Sequence, residues 1–447
     1  MTKQTSRLVL LLMAVLSCAQ GSPSYANPLF PAGNAADGYR EVMARFQGLD
    51  DGLKRQMEKV ISRGWTEENP ELLGYLRQNA EAIELLKKAT QIPFCDFGQG
   101  TTSLQRFSLG GKNESLYFFD KLGWFAKTLT VAGCRAVYEG LEKEALEDYL
   151  SVLRLGHHLG QEPKVSVLGK MMEFGCQKEV YNPIVRLIQR SSLKEEEYKK
   201  ALEQLQILKA GWVGMDPVVQ NDRFFVRSVI EKEFNSEIER KRDAGQSVEA
   251  ITQRAQKALV FFAQLQKEYE GYFLEAYRKD APEEFDRKAD RFLDELRKKA
   301  AFFNLSPGGL EDINRFLASD CSVELVAQAA LAISLIENSE RIIRNYYSGR
   351  TRLHLIMGAL AIRLYEMKNG EAPEKLEQLV PDYLPTLPED PFVGDGSPVR
   401  YTKGEKEWYI FSAGPGRDVG GGRRQPIHTR DKEVHTSDLI ITRKWAP

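Results

Sequence analysis

Six apolar side chains, Leu353, Ile356, Met357, Leu360, Ala361 and Leu364, recur at the i, i+3, i+4, i+7, i+8, i+11 spacing of one helix face. A strand cannot gather that set on one side, because its side chains alternate with period two. The spacing predicts an amphipathic helix that Asn369-Gly370 closes, since glycine accepts the left-handed backbone at a helix end. A stripe this apolar requires a covering partner. Beyond Gly370 the period changes. Pro373 suits the first turn of a short helix with Leu376, Leu379 and Val380 inward, and Pro381 ends it. After a proline-rich stretch, Val399 to Thr402 and Trp408 to Ser412 alternate as strands around a turn at Gly404, and Ser437 to Arg443 is a third strand candidate. The hairpin carrying Tyr401 and Tyr409 is the natural cover for the stripe.

Upstream, helical spacing dominates. Tyr39, Val42, Met43 and Phe46 form one face, and the run from Leu72 to Leu86, opened by Asn69-Pro70 and ended by Pro93, forms another. Residues 95–115, rich in Gly, Ser and Thr, form a loop. Two helices are predicted between Leu116 and Leu159, broken near Gly140. Ala145, Tyr149 and Val152 on the second have the spacing of the second helix of a tetratricopeptide unit. Without a 34-residue echo this predicts an antiparallel helical hairpin rather than a solenoid. Residues 164–210, the highly charged 225–300 and 310–345 continue as helix, with Ser306-Pro307-Gly308-Gly309 as a break. The fold expected is mainly α: a multi-helix, hairpin or tetratricopeptide-like body over residues 27–345, then a small α+β domain over 346–447 with a short antiparallel sheet.

Residues 1–26 have the form of a secretory signal. Lys3 and Arg7 precede an apolar run from Leu8 to Leu16, and Ser24-Tyr25-Ala26 carries small residues at the cleavage positions. A second cut competes: Val15-Leu16-Ser17-Cys18 resembles a lipobox, which would leave a lipid anchor on Cys18. Either cut predicts an exported protein, periplasmic or extracellular, or held at a membrane by lipid. No later apolar run is long enough for a transmembrane helix. Lys plus Arg total 62 against 63 Asp plus Glu, a balance that gives no field for nucleic acid. Beyond the leader, Cys95, Cys134, Cys176 and Cys321 remain. Export permits disulfides among them, in three alternative pairings, and burial as small apolar residues is the competing reading.

The chain has neither H-E-x-x-H nor G-x-S-x-G, and its Gly414-x-Gly416 run fails the dinucleotide fingerprint at Val419. His157 and His158 are neighbours on a predicted helix and point apart, which suits packing rather than shared ligation. His354 flanks the stripe, His428 and His435 flank Asp431 in a tail loop, and Asp390 shapes the turn before Pro391. No carboxylate pair stands out as acid and base, so the sequence points away from an enzyme.

The run from about Gly358 to Trp445 resembles the globular head of the type II secretion major pseudopilin. The shared pieces are Ala361 to Tyr365 with Asn369-Gly370, then Pro373, Leu376 and Leu379-Val380. Leu387-Pro388-Glu389-Asp390-Pro391-Phe392, Tyr401 and Tyr409-Ile410-Phe411-Ser412 come next, before a glycine-rich loop. The likeness covers under a quarter of the chain. From Asn34 to about residue 210 the chain is similar to exported bacterial helical proteins of unknown function with this kind of tail. Asn34-Ala35-Ala36, Tyr39-Arg40-Glu41, Asn79 with the run from Glu81 to Ala89, Cys95-Asp96 and the run from Ala145 to Leu159 carry that likeness. A pseudopilin opens with a prepilin cleavage site and a long apolar helix, and this chain places the head at its C-terminus instead. The resemblance also implies a calcium-binding loop, for which Asp418 and Asp438, with Asp431 as a third, are the oxygen donors. The usual first aspartate is displaced, and Arg417, Arg423 and Arg424 bring positive charge, which favours a loop without metal. The function expected is an exported non-enzymatic scaffold that binds a protein or peptide partner. The alternatives are an accessory of a type II secretion or pilus-like machine and an envelope or extracellular hydrolase lacking a familiar motif.

Overall fold

Polar capping residues set the first three helix starts. In the computed structural model, Asn34 opens α1 (Ala35–Arg45), Asp50 opens α2 (Asp51–Arg63) and Asn69 opens α3 (Pro70–Gln78), each side chain accepting a backbone N–H of the first turn. Described are residues 33–48, 50–66, 69–97, 114–161, 167–190, 192–278, 282–303, 315–332, 337–393, 396–404, 407–414, 426–428, 433–435 and 440–444. The leader, Cys18 and the proposed calcium ligands Asp418, Asp431 and Asp438 lie outside them.

The chain is mainly helical, with a small antiparallel sheet near its C-terminus. After α3 come α4 (Ala80–Thr90), α5 (Glu114–Tyr138), α6 (Glu142–Gln161), α7 (Val167–Arg190) and α8 (Glu195–Ala210). The charged middle forms α9 (Met215–Asp243), α10 (Glu249–Arg278), α11 (Pro282–Phe302) and α12 (Val323–Leu331). The single run expected from Leu72 to Leu86 is two helices that meet at Asn79, whose Oδ1 accepts from Gln47 N at 2.8 Å and whose Nδ2 donates to Tyr75 O at 3.1 Å. Gly140, at φ +76°, makes the expected turn between α5 and α6. That pair packs closely, since a Cβ on Gly133 would overlap the Tyr149 ring. α6 likewise lies close on α7, where a Cβ on Gly156 would stand 2.7 Å from that of Cys176. Cys95, Cys134, Cys176 and Cys321 are all buried thiols, and burial pushes the Cys134 and Cys176 thiols up.

The amphipathic run belongs to α13 (Glu337–Asn369), which passes through residue 346 without a break. Every residue from Leu353 to Leu364 is buried. The cover of the stripe differs from the one expected. Gly349 shares the face of Leu353, Ile356 and Leu360 by helical spacing, and it meets Phe174 and Gln177 of α7. The stripe therefore docks on the upstream helices, α7 and α8. The hairpin covers the other side. β1 (Arg400–Lys403) pairs with β2 (Glu407–Phe411), and β2 with β5 (Ile440–Lys444), both antiparallel, giving the order β1-β2-β5. Trp408 and Ile410 face inward and are fully buried. Ile410 seats in the notch left by Gly358, where a Cβ would overlap it. Trp408 Nε1 donates to Glu366 Oε1 at 2.7 Å, and Arg363 pairs with the other oxygen of that carboxylate. Tyr401, opposite Ile410, donates its hydroxyl to Pro373 O at 2.8 Å, whereas Tyr409 lies on the opposite face of the sheet. β3 (Pro426–His428) and β4 (Glu433–His435) form a separate hairpin. The short helix is a 3-10 turn at Leu376–Leu379 with both leucines buried.

Candidate functional site

The stretches singled out in the first half of the chain converge. Asn34 Nδ2 donates to Asp96 O at 2.7 Å and Asp96 N donates back to Asn34 Oδ1 at 2.9 Å, which binds the start of α1 to the segment after α4. Tyr39 on α1 meets His158 on α6, with 2.6 Å between the hydroxyl and Nδ1. Lys87 on α4 lies 3.3 Å from Asp148 on α6. His158 is buried and neutral: burial, with His157 and Arg154 beside it, lowers its pKa to about 3. A hydrogen bond with the Ile92 backbone opposes that lowering. Burial raises Tyr39 and takes Asp148 up to about 7 despite Lys87. These contacts tie α1, α4 and α6 together.

A second polar layer faces the seam between α7, α8 and α13. Lys170 on α7 is fully buried and pairs with Glu173 at 2.6 Å. The Trp212 ring, just past the end of α8, lies 4.5 Å from the ammonium, a cation–π contact. Burial pulls the Lys170 pKa down. Glu173 occupies the space beside Gly160, where a Cβ would strike its carboxyl group. His157 Nδ1 stands 3.8 Å from the same carboxylate.

On the side of this layer toward α13 opens a pocket of about 210 Å³ lined by Lys209, Trp212, Gly214, Tyr346, Arg350, Leu353 and His354. The α8 end supplies one wall and α13 the other. Tyr346 meets Trp212 edge-on, ring centres 5.7 Å apart, and the Arg350 guanidinium lies 5.8 Å from the Tyr346 ring centre. Arg350 has a weak ion pair, 3.9 Å to the exposed Glu389 carboxylate. Burial lowers the Lys209 pKa, Glu389 opposes that and Arg350 adds to it. His354 is more than a helix-flank residue: it is buried, its Nδ1 donates to Glu389 O at 2.6 Å, and burial holds its pKa down at about 3. The neutral ring therefore leaves Nε2 as an acceptor.

Asp390 shapes its turn as expected, with Phe392 N donating to Oδ1 at 3.1 Å. It also accepts from Ser412 Oγ and Ala413 N, both at 2.7 Å, fastening the proline-rich stretch to the end of β2. No described group of three His, Cys, Asp or Glu side chains has the arrangement of a metal site. No described helix is long and apolar enough to cross a membrane. Lys209, Trp212 and Arg350 carry no sequence signal, because the segments that bring them together lie about 140 residues apart and match no motif. No protein family, characterised protein or solved structure matches the chain.

Proposed function

We propose that the chain is an exported, non-enzymatic scaffold that binds a protein or peptide partner and carries a pseudopilin-head-like module at its C-terminus. The observation that supports this reading is the double seating of α13, with α7 and α8 on one face and the β1–β2 hairpin on the other. A helix buried on both sides fixes the module rigidly against the body. Surface groups on the two parts then keep one spacing, as a two-point scaffold requires.

Fractionation with cross-linking tests the proposal. The full chain is expressed in a bacterium with its leader intact, and its mature N-terminus is read by mass spectrometry. A start at Asn27 supports release beyond the inner membrane, and a lipid-modified Cys18 supports the anchored form. Photo-cross-linkers at the exposed Phe302 and Met367 should then trap one discrete species. An uncleaved chain in the cytoplasm overturns the export reading, and absence of any cross-linked species overturns the scaffold reading.

A further inference from the structure

We propose that the pocket between the end of α8 and α13 binds a small monocarboxylate, held by Lys209 and Arg350 against the Trp212 and Tyr346 rings. The pocket alone carries this, independently of the scaffold reading.

Three observations support it. The first is charge. Lys209 and Arg350 line the pocket with two positive charges, and Glu389 supplies one negative charge at its edge. His354 is neutral, and Lys170 behind Trp212 is already balanced by Glu173. One positive charge is left over, which matches a monoanion better than a dianion. Arg350 approaches its one acidic neighbour at 3.9 Å, beyond hydrogen-bond length, so its fork of donors remains available to a carboxylate.

The second is the wall. Trp212, Tyr346 and Leu353 give apolar surface beside the two cations. The Trp212 indole N–H is buried and has no hydrogen-bond partner among the described residues. A buried donor of this kind normally finds an acceptor, and a carboxylate oxygen supplies one. The neutral His354 contributes an acceptor for a donor group on the ligand. The third is size. At about 210 Å³ the pocket falls below the roughly 300–1,000 Å³ of sites for larger ligands. It has room for a carboxylate with one compact apolar group, as in a free aromatic acid or the last residue of a peptide chain.

Benzoate is the probe, with benzamide as its neutral counterpart and inorganic phosphate as a competing anion, titrated into the full chain by ligand-observed NMR. The expected result is saturation below about 10 mM benzoate, with benzamide at least about tenfold weaker. Arg350→Gln and Lys209→Gln should each weaken benzoate by about tenfold or more, with the thermal midpoint checked in parallel. If one variant does not fold, the other and the benzoate–benzamide comparison still decide. Trp212→Phe should abolish any tryptophan-fluorescence response to benzoate. A short peptide ending in a free phenylalanine carboxylate, compared with its amide, separates the two sources: tighter binding of the peptide acid than of benzoate identifies a chain end, the reverse a free acid. Equal binding of benzoate and benzamide, no saturation, indifference to both charge variants, or tighter binding of phosphate than of benzoate overturns the proposal.

Discussion

The two buried imidazoles make a quantitative claim about acid. His158 and His354 are held neutral in the fold with pKa values of about 3, whereas an unfolded histidine titrates near 6.5. Between those values the unfolded chain gains a proton at each site that the folded chain does not. A depressed histidine pKa therefore removes stability as pH falls below about 6.5, and the loss is complete near pH 3. Each group contributes almost nothing at pH 7.5 and costs about 2 kcal/mol at pH 5, so the pair costs about 4 kcal/mol, a large part of a typical stability. Asp148 acts in the opposite sense. Its carboxyl, raised to about 7 by burial, favours the fold as pH falls through that range. The comparison must therefore be between the native chain and His158→Gln/His354→Gln. Urea unfolding at pH 7.5 and pH 5 provides it, and Asp148 cancels between the two proteins. The variant starts lower at pH 7.5, having lost its bonds to Tyr39 and the Glu389 carbonyl. Its penalty should shrink by about 4 kcal/mol at pH 5. An unchanged gap between the proteins at the two pH values would refute the claim that these imidazoles stay neutral in the fold.

Gly160→Ala should destabilise the chain by about 1–3 kcal/mol, because the new Cβ meets the buried Glu173 carboxylate that Lys170 holds in place; a melting midpoint equal to that of the native chain would show that this contact is slack. Trp408→Phe removes the donor to Glu366 and part of a fully buried ring, so a loss of about 3 kcal/mol is expected in urea unfolding, together with faster amide exchange in β2.

The tail is legible in the sequence wherever its signals are local. Asn369-Gly370 ends α13, Gly370 at φ +82°, and alternation around Gly404 gives β1 and β2. The partner of the stripe is not a local matter, and there the sequence reading fails. The residues from Leu353 to Leu364 are apolar on more than the one side that the strongest pattern marks: Leu355, Gly358, Ala359 and Ile362 repeat i, i+3, i+4, i+7 on the other. Two such sets mark a helix buried all round, and counting only the stronger one assigns its neighbour to the wrong face. α2 is hard to see although Asp50 caps it and Gly64 closes it at φ +85°. Its buried residues, Met57, Val60 and Ile61, cover a narrow face among charged neighbours. The bond that Asn79 accepts from Gln47, thirty-two residues away, likewise lies outside any window of local sequence. The pocket is illegible for the same reason. Lysine, tryptophan and arginine at unrelated positions have no pattern until α8 and α13 are set side by side.

The seam itself explains why charge lies where leucine would pack. Lys170 and Glu173 are both out of water, and such a pair is typically no more stabilising than apolar residues of equal volume. The pair instead supplies a fixed position. The ammonium must stay over the Trp212 ring and within reach of Glu173, and Glu173 fits only because Gly160 has no side chain. Trp212 is thus held from behind by a contact that movement of the α8 end away from Lys170 would break. The same indole forms the front wall of the pocket. On the other wall, His354 is fixed through Nδ1 to the Glu389 carbonyl, and Asp390 beside it is fastened to the end of β2. The end of α8 therefore sets one side of the pocket and α13 the other, and His354 ties α13 to the turn at Asp390. Loosening the ion pair from Trp212 would move the α8 wall relative to α13, so the geometry of the pocket depends on the Lys170–Glu173 pair.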